Sequence, residues 1–135
     1  MKKVVIDTNI VVSALWSAKG NPNKIIKLIP EKKIIPCFCQ EILQEYKKVL
    51  SRPKFNFTPL EINKLLKELL LHGIESKTII KSCILFADES DRIFYDTAKT
   101  NKAVLITGNK KHYPDEKIIM TPGDYIKLIE KAGVF

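Results

Sequence analysis

Cysteine is scarce in this sequence. Cys37, Cys39 and Cys83 are an odd number without a C-x-x-C pair, which fits a reducing compartment and argues against a disulfide framework or a zinc site. Histidine is scarcer, and His72 and His112 lie far apart and form no ligand motif. No apolar run nears the roughly 20 residues of a membrane span, and no long secretory h-region with a cleavage site is present. A cytoplasmic protein without membrane association is therefore expected. Five glycines and seven prolines leave no long linker or low-complexity tract, so a single domain over 1–135 is expected. A chain of 135 residues can bury a core that needs no covalent staple. No G-x-G-x-x-G follows the first apolar run, which argues against a dinucleotide-binding enzyme.

Negative charge is also in deficit. Fifteen acids face 23 lysines and arginines, a formal net charge of +8. That balance favours a nucleic acid or an acidic protein as partner, or serves only a solvated surface. Lys47, Lys48, Arg52 and Lys54 form one basic cluster, and Lys110 and Lys111 form another.

What the chain does have is a regular alternation of strand and helix signals. The apolar run Val4-Val5-Ile6 predicts a buried strand, and residues 10–16 predict a short apolar helix packed against the sheet. Asn21 and Pro22 read as the cap and first turn of the next helix. Ile25, Ile26, Leu28 and Ile29 are its inward residues, and Pro30 breaks it. Ile34 and Ile35 predict a strand ahead of Pro36. Residues 40–50 predict a helix burying Ile42, Leu43, Tyr46, Val49 and Leu50, with Pro53 stopping it.

Thr58-Pro59-Leu60-Glu61 carries a capping box. Ile62, Leu65, Leu66, Leu69 and Leu70 face inward behind it, and Gly73 is expected at C′. Residues 74–80 can hold a strand, while 77–87 suit either a strand or a covering loop. A helix from Asp88-Glu89-Ser90 to about Asn101, strands over 103–106 and 117–120, and a last capped helix from Thr121 complete the pattern. Such βα alternation implies a mostly parallel sheet covered by helices on both sides.

The residues that carry chemistry lie where strands end. Asp7, followed by Thr8 and Asn9, closes the first apolar run, at the strand lip where open α/β proteins place ligands. Ala103-Val104-Leu105-Ile106 breaks likewise into Thr107-Gly108-Asn109. Glu45 and Asp91 lie in predicted helices. Carboxylates crowded together repel unless protonated or bridged by a cation, and hard oxygen donors suit Mg2+ or Mn2+. Each acid also has a plainer role: Asp7 as a helix cap, Glu45 as a solvated carboxylate, Asp91 as an N-terminal cap or dipole partner.

Asn109 can orient water or hold its turn, adding no charge. Thr8 can bind the Asp7 carboxylate, and Asn9 can lock the turn, unless they only cap a helix starting near Ile10. Thr107 has the same choice beside Asn109. Asp88 can reach the site from the helix entrance. Asp96, five residues past Asp91, points away from it on an α-helix, and Glu41 shares the Glu45 face by i,i+4 spacing.

In order and spacing these residues resemble the PIN domain: Asp7-Thr8-Asn9 after an opening strand, Glu45 in Glu41-Ile42-Leu43-Gln44-Glu45-Tyr46, Asp91 before an alanine-containing helix, and Thr107-Gly108-Asn109 after a late strand. The string from Leu105 to Pro114 resembles the subgroup assigned to the toxins of toxin–antitoxin operons. The likeness runs from Lys2 to about Leu128. It implies a three-layer α/β/α sandwich, Mg2+- or Mn2+-dependent endoribonuclease activity, a small antitoxin as partner, and a homodimer.

Carried over residue by residue, Asp7, Glu45 and Asp91 are the metal-binding acids. Asn109 stands where many relatives have a fourth acid, which puts a second metal in doubt. RNA phosphodiester hydrolysis is then the expected reaction, with Lys47, Lys48, Arg52, Lys110 and Lys111 as candidate phosphate contacts. The rival readings are a noncatalytic RNA- or antitoxin-binding module with a degenerate metal site, and a phosphatase with Asp7 as nucleophile. The latter lacks an aspartate at position 9 as general acid.

Overall fold

The computed structural model describes residues 2–133. Five strands form one all-parallel sheet: β1 (Lys3–Ile6), β2 (Ile35–Phe38), β3 (Ile74–Glu75), β4 (Val104–Ile106) and β5 (Ile119–Met120), in the order β3-β2-β1-β4-β5. Six α-helices accompany it among the described residues: α1 (Thr8–Trp16), α2 (Asn21–Lys27), α3 (Gln40–Leu50), α4 (Pro59–His72), α5 (Arg92–Asn101) and α6 (Pro122–Lys131). This is the α/β sandwich that the strand–helix alternation predicted. The central strands β1 and β4 are buried at Val4, Val5, Ile6, Val104, Leu105 and Ile106, the continuous apolar pattern of strands covered on both faces.

The strand order places the functional edge. The chain runs outward from β1 through β2 to β3, then returns to the other side of β1 for β4 and β5. The reversal falls between β1 and β4, whose register pairs Val4 with Val104 and Ile6 with Ile106. Both strands therefore end at the same level, and Asp7 and Thr107 emerge side by side. In open parallel sheets such a reversal leaves a crevice at the carboxyl ends of the strands.

Local chemistry explains most boundaries. The Thr58 capping box forms in both directions, with Thr58 Oγ1 accepting from Glu61 N and Glu61 Oε1 from Thr58 N, at 3.1 and 3.0 Å. Thr121 Oγ1 likewise accepts from Asp124 N at 3.1 Å to start α6. Helix α3 spans the predicted residues, and Tyr46, Ile42 and Leu50 are fully buried.

Several boundaries differ from the sequence expectation. Gly20 rather than Asn21 caps α2, which moves Pro22 from the first to the second helical position. Helix α1 starts at Thr8, not near Ile10. Its Trp16 does not pack on the sheet but is 62% exposed. Leu70 also faces outward.

Pro36 lies inside β2 instead of after a strand. The ladder tolerates it because Ile35 N donates to Lys2 O on the β1 side. Alternation then turns the Pro36 nitrogen toward β3, which starts pairing only at Cys37 opposite Ile74. The strand that 74–80 can hold is the two-residue β3 at its start, and β5 begins at Ile119 rather than Lys117. Residues 77–87 form a covering segment without regular structure, packed onto the core through Ile79, Ile84 and Phe86.

Gly73 is not the positive-φ C′ residue expected from sequence; it is the C-cap, in extended conformation. Its lack of a Cβ is needed for closeness. A Cβ there would sit 2.5 Å from Leu69 O and from a Phe38 ring carbon, and 2.6 Å from Pro36 O.

Candidate functional site

Asp7 is the centre of the site and is 8% exposed. Strand β1 delivers it to the crevice, and its backbone N–H still pairs with Ile106 O on β4 at 2.9 Å. One carboxylate oxygen, Oδ1, accepts from Thr8 N at 2.8 Å, so the capping role foreseen for Asp7 is real. The other, Oδ2, accepts from Thr107 Oγ1 at 2.7 Å and from the Tyr113 hydroxyl at 3.0 Å. Three bonds leave room for about one more partner on a carboxylate with roughly four lone-pair positions. Burial pushes the Asp7 carboxyl above the ordinary carboxylate range, opposed by the Thr107, Tyr113 and Thr8 bonds and by attraction to His112.

The hydroxyl that binds Asp7 is thus that of Thr107, not Thr8. Thr8 contributes its backbone N–H, and its own buried hydroxyl has no hydrogen-bond partner among the described residues. Asn9 locks the two strand-end turns together, its Oδ1 accepting from Gly108 N at 3.4 Å. Thr107 also accepts from Asn109 N at 3.0 Å, which fixes the turn carrying Asn109. The Asn109 side chain itself is exposed and caps nothing.

Asp91 occupies the N-cap position of α5 yet makes no capping bond. Asp88 does the local capping instead, its Oδ1 accepting from Ser90 N at 3.0 Å and Ser90 Oγ at 2.7 Å. The half-buried Asp91 carboxylate instead faces His112, whose Nδ1 lies 3.5 Å from Oδ2. Burial raises the Asp91 carboxyl first, and the charges of Asp7 and Asp88 raise it further, with His112 pulling the other way. Asp88, Asp91, His112 and Tyr113 line one groove of about 450 Å³, walled by Ile84 and Phe86 of the covering segment.

Glu45 is half-buried on α3. The next residue, Tyr46, donates its hydroxyl to Ile6 O, tying this helix to the peptide that precedes Asp7. Glu41 lines a separate groove with Lys81, Glu89, Arg92 and Asp96. Asp96 is buried there and accepts from Ser82 N at 3.2 Å, away from the Asp91 groove as its helical offset requires. Lys47, Lys48, Arg52, Lys110 and Lys111 are all exposed.

No group of three His, Cys, Asp or Glu side chains gathers at metal-holding distance among the described residues. The physical reason is plain at Asp7, whose two oxygens are engaged by three protein donors, while like charge disfavours a closer approach by other carboxylates. The donor chemistry nevertheless fits a hard divalent cation. Asp7 keeps free acceptor capacity, and its charge already raises Asp91. A bound cation relieves such repulsion.

Sequence reasoning missed Tyr113 and His112. Tyr113 carries an apolar body that packs near Phe86, so its position reads as core. His112 sits in a three-residue 3₁₀ turn, whose register no periodicity reveals.

This arrangement has a measurable signature. Because the Asp91 carboxyl is raised above its usual value of 3.8, the folded chain binds more protons than the unfolded one just above that value, and stability falls as pH rises through that window. Asp91→Asn is expected to melt higher than wild type in metal-free neutral buffer and to converge with it below about pH 3.8. A lower melting temperature for the variant at neutral pH would return Asp91 to a purely structural role.

No helix among the described residues is long and apolar enough to cross a membrane. Comparison with known proteins agrees with the architecture. Over 96% of its length the chain is 37% identical to an uncharacterized protein of Methanocaldococcus jannaschii, 92% of which is covered. Residues 3–111 match the PIN domain, a stretch that starts at β1 and takes in the Asp7, Glu45, Asp91 and Asn109 positions. The match favours nuclease chemistry over a dinucleotide-binding enzyme or a phosphatase working through Asp7. By this match and the likeness of the archaeal relative, the chain belongs to the PIN domain family.

Proposed function

We propose that this protein is a cytoplasmic endoribonuclease that hydrolyses RNA phosphodiester bonds with the help of Mg2+ or Mn2+. The observation that carries this reading is the buried Asp7 carboxylate at the β1/β4 crevice, bound by Tyr113, whose neighbour His112 faces Asp91. Asp7 and Asp91 would hold the cation, joined by Glu45. When bound, it supplies charge neutralisation at a phosphate oxygen and acidifies a water.

The remaining work belongs to the chain. Thr107 and Tyr113 hold the Asp7 carboxylate in one orientation, and the turn fixed by Asn9 and Thr107 presents Asn109 to water or substrate. Lys110 and Lys111 follow that turn, are exposed, and would engage flanking phosphates. Purified protein is expected to cleave a mixed RNA pool with Mg2+ or Mn2+ and to stop in chelator. Lys110→Glu with Lys111→Glu is expected to weaken RNA binding and to flatten the log–log salt slope by roughly 1.4, the value for two phosphates on a single strand. An unchanged slope in a fluorescence-anisotropy series would remove both lysines from the RNA path.

The likeness of residues 105–114 to toxin subgroups supports a finer proposal, a homodimeric toxin held by a small antitoxin. A short neighbouring reading frame encoding a DNA-binding segment and an amphipathic tail is the expected companion. A second reading, a noncatalytic RNA- or antitoxin-binding module, draws on the absence of a close acidic triad among the described residues and on Asn109 in an acid's place. It predicts no metal-dependent cleavage and RNA binding indifferent to Asp7.

A further inference from the structure

Trp16, the chain's single tryptophan, ends α1 with 62% of its surface exposed. Burial would be the ordinary fate of so large an apolar side chain, so this exposure calls for an explanation. The indole is not loose. Phe55 and Phe57 meet it edge-to-face, with ring centroids at 5.7 and 6.2 Å and interplanar angles of 89° and 85°. The two phenylalanines lie nearly parallel to each other, 5.7 Å apart, and Phe57 packs on the core. Such offset and edge contacts fix ring orientation at little entropic cost.

The two segments that build the cluster carry one sign of charge. Lys54 lies over the Phe55 ring, its Nζ 5.1 Å from the centroid, and Arg52 stands at the N-cap position of the 3₁₀ turn Pro53–Phe55 that carries both. Neither segment that builds the cluster contains an acid. Residues 8–30 hold Lys19, Lys24 and Lys27, and residues 46–60 hold Lys47, Lys48, Arg52 and Lys54, with no Asp or Glu in either. An acidic protein could answer the charge, but an oriented, exposed aromatic among cations matches the two recurring parts of a single-stranded nucleic-acid site. Those parts are a π-face for a base and positive charge for the backbone.

We propose that Trp16, braced by Phe55 and Phe57, is a stacking platform for a base of single-stranded RNA, with Arg52 and Lys54 on the adjoining phosphates. Helix α1 starts beside Asp7 and runs nine residues to Trp16, so the platform lies about 13 Å along the helix from the crevice. It would hold substrate to one side of the scissile bond and select unpaired over duplex RNA. The proposal deepens the ribonuclease reading, but it is tested without cleavage.

The probe is a short oligouridine in chelator, with an abasic chain of equal length and a duplex RNA as controls. Oligouridine is expected to quench Trp16 emission saturably, the abasic chain and duplex to leave it unquenched. By anisotropy of labelled oligouridine, Trp16→Ala should bind about tenfold more weakly, and Trp16→Phe should keep most of the affinity. Absent quenching together with unchanged affinity of Trp16→Ala overturns the platform. So does RNA binding that survives in Trp16→Ala while sedimentation shows a dimer becoming a monomer, which would give the patch to a second copy of the chain. Quenching in a protein that cleaves nothing would leave the platform standing and defeat the ribonuclease reading alone.

Discussion

Asp7→Asn is expected to lower metal-dependent RNA cleavage by roughly 10²–10³-fold, the loss typical of removing one preorganised charge-stabilising group. The substitution keeps the size of the side chain and one acceptor oxygen for Thr8 N. It removes the negative charge and one acceptor oxygen. If the amide nitrogen takes the Oδ2 position, it meets the Thr107 and Tyr113 hydroxyls, which both donate there in the native protein. Those hydroxyls must rotate or lose their partner, at a cost of about 1–3 kcal/mol for a buried unsatisfied group. Relief of the buried charge offsets part of this. The variant should therefore fold, with a modest change in melting temperature and cleavage reduced to near background. Cleavage within threefold of wild type, in a folded variant, would exclude Asp7 from the chemistry.

The largest expected effect on stability is at Gly73. Gly73→Ala puts a Cβ 2.5 Å from Leu69 O and 2.6 Å from Pro36 O, and both are backbone atoms that cannot swing aside. The helix end must shift relative to β2, and a cost of about 3 kcal/mol, the upper part of the overpacking range, is expected. Urea unfolding should show a lower midpoint with an unchanged slope. A destabilisation below about 0.5 kcal/mol, within the range of ordinary surface substitutions, would mean that α4 and β2 separate easily.

Elements whose causes are local were legible in the sequence. Helix α3 has a full apolar stripe and proline beyond its end, and α4 has a capping box, so both starts fall at the predicted residues. Boundaries set by neighbours were not. Pro36 reads as a strand breaker until β3 is seen to pair only from Cys37 onward. Gly73 reads as a left-handed cap until the crowding by Phe38 and Pro36 is visible.

The same division holds at the site. Asp7 and the Thr107 turn stand out as polar breaks after apolar runs. The donor that reaches Asp7 could not be chosen from sequence, because Thr8 is adjacent whereas Thr107 is 100 residues away. Tyr113 joins them only because a short 3₁₀ turn folds it back. No spacing rule encodes a contact between an aromatic hydroxyl and a carboxylate across 106 residues.

That separation has a consequence during synthesis. The bonds that orient Asp7 close loops of 100 and 106 residues, and contacts so distant form late because their closure entropy precedes any gain. A chain emerging from the ribosome presents Asp7 106 residues before Tyr113 and holds it unbraced until Tyr113 has been made and has docked. For the ribonuclease proposed above, a centre that needs both Asp7 and Tyr113 would stay unassembled until the later of the two has been made.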